Sequence, residues 1–267
     1  MLASRYWPIL GVAIAIAITS TMDATGLSVY SALPLAPLLG IFWSAQRMSR
    51  RQVGFAWGRG KDYLLPLLYP FAIAGSLSGI AAFSGVLDLS HANWRKAWIN
   101  FAITAIATVL VAVITEEGFF RGWLWASLER IGAKSSTMLI FSSIAFSLWH
   151  WSAVMLNTGF NPPRRQVPIF MVNAAVIGAI WGVMRWRSGS VIVSSVSHGV
   201  WNGMAYVLFG FGTKTGALGI KQTWLLGPEV GIVGLLLNGL FLFVLLRWRS
   251  SAGQRRFEVA LPAAERG

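Results

Sequence analysis

The sequence predicts an all-α fold, a polytopic membrane bundle of about eight transmembrane helices. Three observations carry that reading. Hydrophobic residues make up 55% of the 267 residues and charged residues 12%, with a mean hydropathy of +0.62. Apolar runs near the roughly 20 residues that an α-helix needs to cross hydrocarbon recur along the chain. Between those runs the 22 Lys and Arg fall singly or in small groups, the pattern that sets topology against an inner leaflet. A formal charge of +13 spread in this way is not the clustered basic face of a nucleic-acid binder. The absence of cysteine excludes disulfides, thiolate metal sites and a cysteine nucleophile.

Trp7 to Thr21 reads as the first span, entered with no small-residue cleavage site to mark a removed signal. A short turn around Asp23 and Gly26 leads to the second span, Leu27 to Gln46. Arg47 to Lys61 is basic and is expected in the cytoplasm. Tyr63 to Leu87 is the third span, and Asp88 to Lys96 a short loop that contains His91. Trp98 to about Arg130 is apolar over a length of roughly 50 Å as a helix, too long for one perpendicular crossing. That segment is expected to tilt, to bend near Gly118, or to run out along the interface. Ser136 to Leu156, Pro168 to Trp186, Ser190 to Phe209 and Glu229 to Trp248 complete the set, with the turn Arg187-Ser188-Gly189 closing the sixth.

Eight spans place both ends on one side. The N-terminus, the loops on that side and the tail hold 15 Lys and Arg against 6 on the other, so both termini are expected in the cytoplasm. Residues 1–250 are read as a single transmembrane domain with its motif-bearing core at 110–205, and 251–267 as a polar cytoplasmic tail. Gly178 and Gly182 form a GxxxG that favours close helix packing within the bundle. Asn173 and Asn238 are expected to hydrogen-bond between helices, and the 14 tryptophans to serve mainly as interface anchors.

Polar groups stand out against this background. Thr115 to Trp123 reads TEEGFFRGW, with two of the chain's nine acidic residues adjacent inside an apolar run. An ionised group at bilayer depth is expensive unless it is paired or lines a wet cavity, so it marks function by default. Glu117 and Arg121 stand at i, i+4 with the acid N-terminal, the favourable order for a pair. Glu116, about 100° round the helix, is left to point elsewhere as the catalytic candidate. His150 closes the run FSLWH, and His198 and Asn202 share one helix face in HGVWN. Glu116 is 14 residues from Arg130, His150 is 14 from Ser136, and His198 and Asn202 are 11 and 15 from Arg187. At about 1.5 Å per residue all four lie roughly 16–22 Å from the cytoplasmic helix ends. An acid, two imidazoles and an amide on three spans therefore share one level.

Each group alone also has a plain structural use: an ion pair, an interfacial histidine, an interhelical hydrogen bond. Together they suit hydrolysis. A carboxylate beside an imidazole can deprotonate a water and return the proton to the leaving amine. A second imidazole and an amide N–H can stabilise an oxyanion. Ser147, Ser194, Ser195 and Ser197 are close in sequence, but none has a clear base partner.

EEGFFRG, FSLWH and HGVWN resemble, in order, the EExxxR, FxxxH and HxxxN motifs of the CPBP family, the type II CAAX prenyl endopeptidases and bacteriocin-processing (abortive-infection) intramembrane proteases. The resemblance covers about residues 110–205. It implies an eight-helix bundle with a glutamate-dependent peptidase site inside the membrane. Carried over, Glu116 and His150 activate water, His198 and Asn202 stabilise the oxyanion, and Glu117 and Arg121 fall on supporting positions. No cofactor is expected. A zinc-dependent form of the same protease ranks second, with Glu116, His150 and His198 as a Glu/His₂ ligand set. A buried acid of this kind would also suit an ion-coupled transporter, and the same fold could serve a non-catalytic immunity or scaffold protein. The expected partners are a peptide or protein substrate, membrane-associated or lipidated, and the bilayer, with no nucleic acid. The expected location is a prokaryotic plasma membrane.

Overall fold

A computed structural model describes residues 5–212 and 214–248; the expected tail at 251–267 lies outside them. The fold is a helical bundle whose only sheet among the described residues is a two-stranded hairpin, β1 (Gly210–Phe211) with β2 (Lys214–Thr215). Helix α1 (Trp7–Ala24) leads through a single 3₁₀ turn to α2 (Leu35–Ala45). A one-turn helix α3 (Arg50–Val53) precedes α4 (Leu64–Phe83). Then come α5 (Trp94–Ala112), a π-helix (Glu117–Trp123) and α6 (Leu124–Arg130). The second half holds α7 (Ser135–Trp149), α8 (Trp151–Met155), α9 (Val167–Ser188) and α10 (Val191–Met204). A second π-helix (Ala205–Phe209), the hairpin, α11 (Thr223–Leu226) and α12 (Ile232–Arg247) complete the chain.

Among the described residues six helical segments are long and apolar enough to cross a bilayer: Trp7–Ala24, Ser28–Ala45, Gly60–Phe83, Trp94–Ala112, Ser135–Met155 and Arg164–Ser188. This is a multi-pass membrane protein. The remaining two expected spans correspond to shorter helices. One is the 14-residue α10 with its π extension, and the second is the 16-residue α12. Glu229, expected to open the last span, instead lies in the turn ahead of α12.

Two helix starts follow from local chemistry. The Asn93 side chain accepts from Lys96 N at 2.9 Å and caps α5. Ser190 accepts from the Ile192 and Val193 backbone amides and caps α10, while Gly189 at φ +72° ends α9. The turn between these helices is thereby fixed by two adjacent residues.

The bundle is built around α10, which packs on α5, α4 and α9. A Cβ on Gly203 would lie 2.9 Å from Phe101 Cδ2, and one on Gly199 would lie 2.5 Å from the Ala105 carbonyl. These two glycines let α5 and α10 approach backbone to backbone. Past the end of α5, Gly122 packs near Val191, the first residue of α10. The long apolar segment therefore follows α10 along α5 and the π-helix and is broken between the two. The break falls at Val113–Thr115, a few residues before the expected bend at Gly118, and the π-helix starts at Glu117. Gly118 still matters to it: a Cβ there would stand 2.6 Å from the Val113 carbonyl. A π-helix inserts an i→i+5 turn and recurs at functional sites. Here it carries Glu117 and Arg121.

The remaining polar expectations resolve into contacts. Asn238 Nδ2 donates to Asn173 Oδ1 at 3.0 Å and joins α12 to α9, while Tyr69 Oη donates to Asn238 Oδ1 at 2.8 Å. Gly178 makes room for the Arg121 guanidinium, 3.0 Å from a virtual Cβ, and Gly182 makes room for Leu139 of α7.

Candidate active site

Glu117 and Arg121 form an ion pair of 3.2 Å with no exposed side-chain surface on either partner. Burying two charges is costly, and the environment answers it with several further contacts. Arg121 Nη2 donates to the Gly178 carbonyl at 3.2 Å, and Cζ sits 4.1 Å from the Phe146 ring centroid, a cation–π distance. Trp181 supplies a second face at 5.4 Å. Glu117 Oε1 also meets His198 Nδ1 at 3.3 Å, and the His198 ring stacks on Trp181 with centroids 4.1 Å apart. Acid, guanidinium, imidazole and indole thus form one packed block.

Glu116 approaches the other nitrogen of the same His198 ring. Its Oε2 stands 3.9 Å from His150 Nε2 and 3.9 Å from His198 Nε2, and its side chain is 17% exposed. His150 sits at the joint between α7 and α8, not inside a continuous helix, and its Nδ1 lies 2.8 Å from the Phe146 carbonyl. A carbonyl only accepts, so Nδ1 carries the hydrogen and Nε2 of the neutral ring presents a lone pair toward Glu116. The same logic holds at His198, where a carboxylate faces Nδ1.

These groups line a cavity of about 480 Å³. Glu116, His150, His198 and Asn202 all contribute to its wall, brought there from the broken segment, the α7–α8 joint and α10. Glu117 and Arg121 do not line it; they lie behind it. Two further acids do. Asp23 near the end of α1 accepts from Ser152 Oγ at 2.6 Å, and Glu229 accepts from Trp201 Nε1 at 2.9 Å. Neither stands out in the sequence, because one looks like a turn marker and the second like a helix start. Trp181 is likewise inconspicuous among 14 tryptophans, although it is only 2% exposed.

Among the described residues no group of three His, Cys, Asp or Glu side chains is arranged to hold a metal ion. Glu116, His150 and His198, the expected Glu/His₂ set, nonetheless bring one carboxylate oxygen to 3.9 Å from two imidazole Nε2 atoms.

The fold and the cavity define a multi-pass helical membrane protein with a buried acid–imidazole site. Residues 98–204 match the family described as Rce1-like, type II CAAX prenyl endopeptidase Rce1-like. That stretch contains all three motifs, and the match agrees with the resemblance drawn from them. The family implies CAAX intramembrane protease activity, a hydrolase acting on a protein or peptide in a membrane. No curated protein and no solved structure matches the chain.

Proposed function

We propose that this protein is an intramembrane endopeptidase in which Glu116 and His150 activate the attacking water. The observation that carries the reading is the placement of Glu116 Oε2 3.9 Å from both imidazole Nε2 atoms at the wall of one cavity. That separation is too long for a direct hydrogen bond and suits one water shared between acid and imidazole. The water oxygen attacks the scissile carbonyl carbon while its proton passes to the Glu116–His150 pair. Collapse of the tetrahedral intermediate breaks the C–N bond, and the same proton goes to the leaving amine.

Asn202 donates from its amide to the oxyanion. His198 can join it only when its ring carries both protons, because Nδ1 is committed to Glu117; the Glu117 carboxylate is then its counter-charge. Glu117 and Arg121 are positioning residues that hold His198 and the π-turn. The reaction as written needs no metal ion. The chain is read as one domain over 1–250, set in a prokaryotic plasma membrane with both termini in the cytoplasm, an orientation supported by the Lys and Arg bias.

The test is cleavage of membrane-embedded or lipidated peptides by the purified protein. Wild type releases product and Glu116→Gln does not. Equal cleavage by the two proteins removes Glu116 from the mechanism, and no cleavage by either removes the assignment.

A further inference from the structure

We propose that Glu229 is a positioning residue for the reaction: by accepting from the Trp201 indole it fixes the turn of α10 that aims the Asn202 amide at the oxyanion. The inference rests on the peptidase reading and adds a residue from outside the three motifs. Trp201 is 2% exposed and lies between His198 and Asn202 on α10. Its Nε1 donates to Glu229 Oε1 at 2.9 Å, and its ring stacks on Tyr69 with centroids 5.2 Å apart and planes 2° from parallel. One indole is thus clamped on its face and on its edge.

The turn that carries Glu229 is itself held. Asn173 Nδ2 donates to the Pro228 and Glu229 carbonyls at 2.8 and 3.0 Å, and Asn238 Nδ2 donates to the Pro228 carbonyl at 3.2 Å. Tyr69 Oη donates to Asn238 Oδ1, so the contacts close a ring that runs from Trp201 through Glu229, the two asparagines and Tyr69 back to Trp201. A Cβ on Gly234 would stand 2.3 Å from the Gly227 carbonyl, so the missing side chain seats turn 227–231 on the backbone of α12. Tyr69, Asn173 and Asn238 have no exposed surface. Buried polar groups are costly unless partnered, and a partnered ring of them specifies one geometry.

The place of that ring gives it a role in the reaction. His198 has supports of its own in Glu117 and Trp181. Asn202, four residues on, lines the cavity and takes its aim from the turn of helix that carries it. Three residues further, at Ala205, α10 gives way to a π-helix. A change of winding so close leaves the facing of Asn202 to be set by a neighbour, and Trp201 is the adjacent residue with two fixed contacts. Misplacing a reacting group by about 1 Å can cost about 10²-fold in rate.

The experiment measures kcat and KM for a membrane-embedded peptide with the purified full-length protein in lipid nanodiscs. Glu229→Gln keeps an acceptor for the indole and should hold kcat within about threefold of wild type. Glu229→Leu removes the acceptor, and Trp201→Phe removes the donor while keeping a ring on Tyr69. Each should lower kcat by at least about tenfold, with KM within about twofold. Joined to Asn202→Ala, either change should add less than about twofold, because the group it aims is gone. A merely structural role would instead multiply its loss of kcat with that of Asn202→Ala. If Glu229→Leu fails to fold, Trp201→Phe carries the same cycle.

Exchange of the Trp201 indole proton, read by NMR and assigned by its absence in Trp201→Phe, reports the contact without turnover. It should be slow in wild type and Glu229→Gln and at least about tenfold faster in Glu229→Leu. Losses that multiply, or Glu229→Leu with wild-type kcat, overturn the positioning role and leave the peptidase reading intact. Glu229→Gln as slow in cleavage as Glu229→Leu, with its indole proton still protected, also overturns it, because the carboxylate charge then acts directly. No cleavage by wild type, with the indole proton protected, overturns the peptidase reading and with it the reaction that Glu229 would serve.

Discussion

Glu116 and Glu117 are neighbours in the chain and occupy opposite environments. Glu117 has no exposed side-chain surface and is gripped by Arg121 and His198, whereas Glu116 is 17% exposed at a cavity wall with two imidazoles at 3.9 Å. One residue of rotation on a helix separates a carboxylate that holds structure from one that is available to react. Buried, paired charge gives a fixed backdrop; partly exposed, loosely contacted charge faces the substrate. The following variants either break that division of labour or sharpen it.

The largest expected effect is at Glu116. Glu116→Gln keeps the shape and removes the charge, so kcat should fall by about 10²–10⁴-fold, the usual worth of a general acid–base group. The thermal transition in detergent should stay within about a degree or two of wild type, because the side chain supports no buried ion pair. His150→Ala should show a similar loss. A variant that loses folding along with activity would erase the distinction between the two glutamates.

Arg121→Ala attacks the structural side of the comparison. Removing one member of a buried pair strands Glu117, at a cost of about 3–5 kcal/mol, and takes away the cation on the Phe146 and Trp181 rings. Yield and melting temperature should both drop. The double variant Glu117→Gln with Arg121→Met removes both charges and should recover most of the stability, but not the activity, since His198 loses its counter-charge. A double variant no better folded than Arg121→Ala would show that the pair is not the unit that matters.

How much of this is legible in the sequence follows from how local each signal is. Glu117 and Arg121 lie one turn apart, and His198 and Asn202 likewise, so spacing alone puts each pair on a face. The count of residues from the helix ends then aligns Glu116, His150, His198 and Asn202 at one depth, and all four line the same cavity. What stays hidden is set by tertiary structure. Asp23 and Glu229 are more than two hundred residues apart, and each is ordinary in its own turn. Hydropathy marks where apolar chain is, not where a helix changes its winding, so it leaves tilt, a bend near Gly118 and an interfacial run all open, whereas the structure breaks the helix at residues 113–115. The packing of Gly199 and Gly203 on α5 is also a spacing signal, the same GxxxG as Gly178 and Gly182, and it is masked by the more conspicuous His198 and Asn202 beside it.

Asn202→Ala probes the reactive side more gently. Loss of one oxyanion donor is expected to lower kcat by about 10²-fold, with little change in KM because the ground-state carbonyl uses the contact weakly. Cleavage assays at saturating and sub-saturating peptide separate the two parameters. A change confined to KM would make Asn202 a binding residue instead.

The smallest expected effect is that of chelation. If Glu116 and His150 activate water directly, activity should survive dialysis against strong chelators, and metal analysis should find well below about one equivalent of zinc. The physical ground is the way the two imidazoles are held. Each has Nδ1 on an acceptor and Nε2 toward Glu116, an orientation a zinc site would also use, so orientation alone does not separate the two mechanisms. The difference lies in what the remaining donors do. A zinc ion would take Glu116, His150 and His198 together and would itself polarise the carbonyl, leaving Asn202 a minor part. Without the ion, Asn202 and His198 carry that task. Chelation and Asn202→Ala are therefore a coupled pair of measurements. The metal-free mechanism requires insensitivity to the first and a large loss from the second. Activity abolished by chelator and restored by zinc, with only a mild effect at Asn202, would reverse the assignment and turn Glu116 from a base into a ligand.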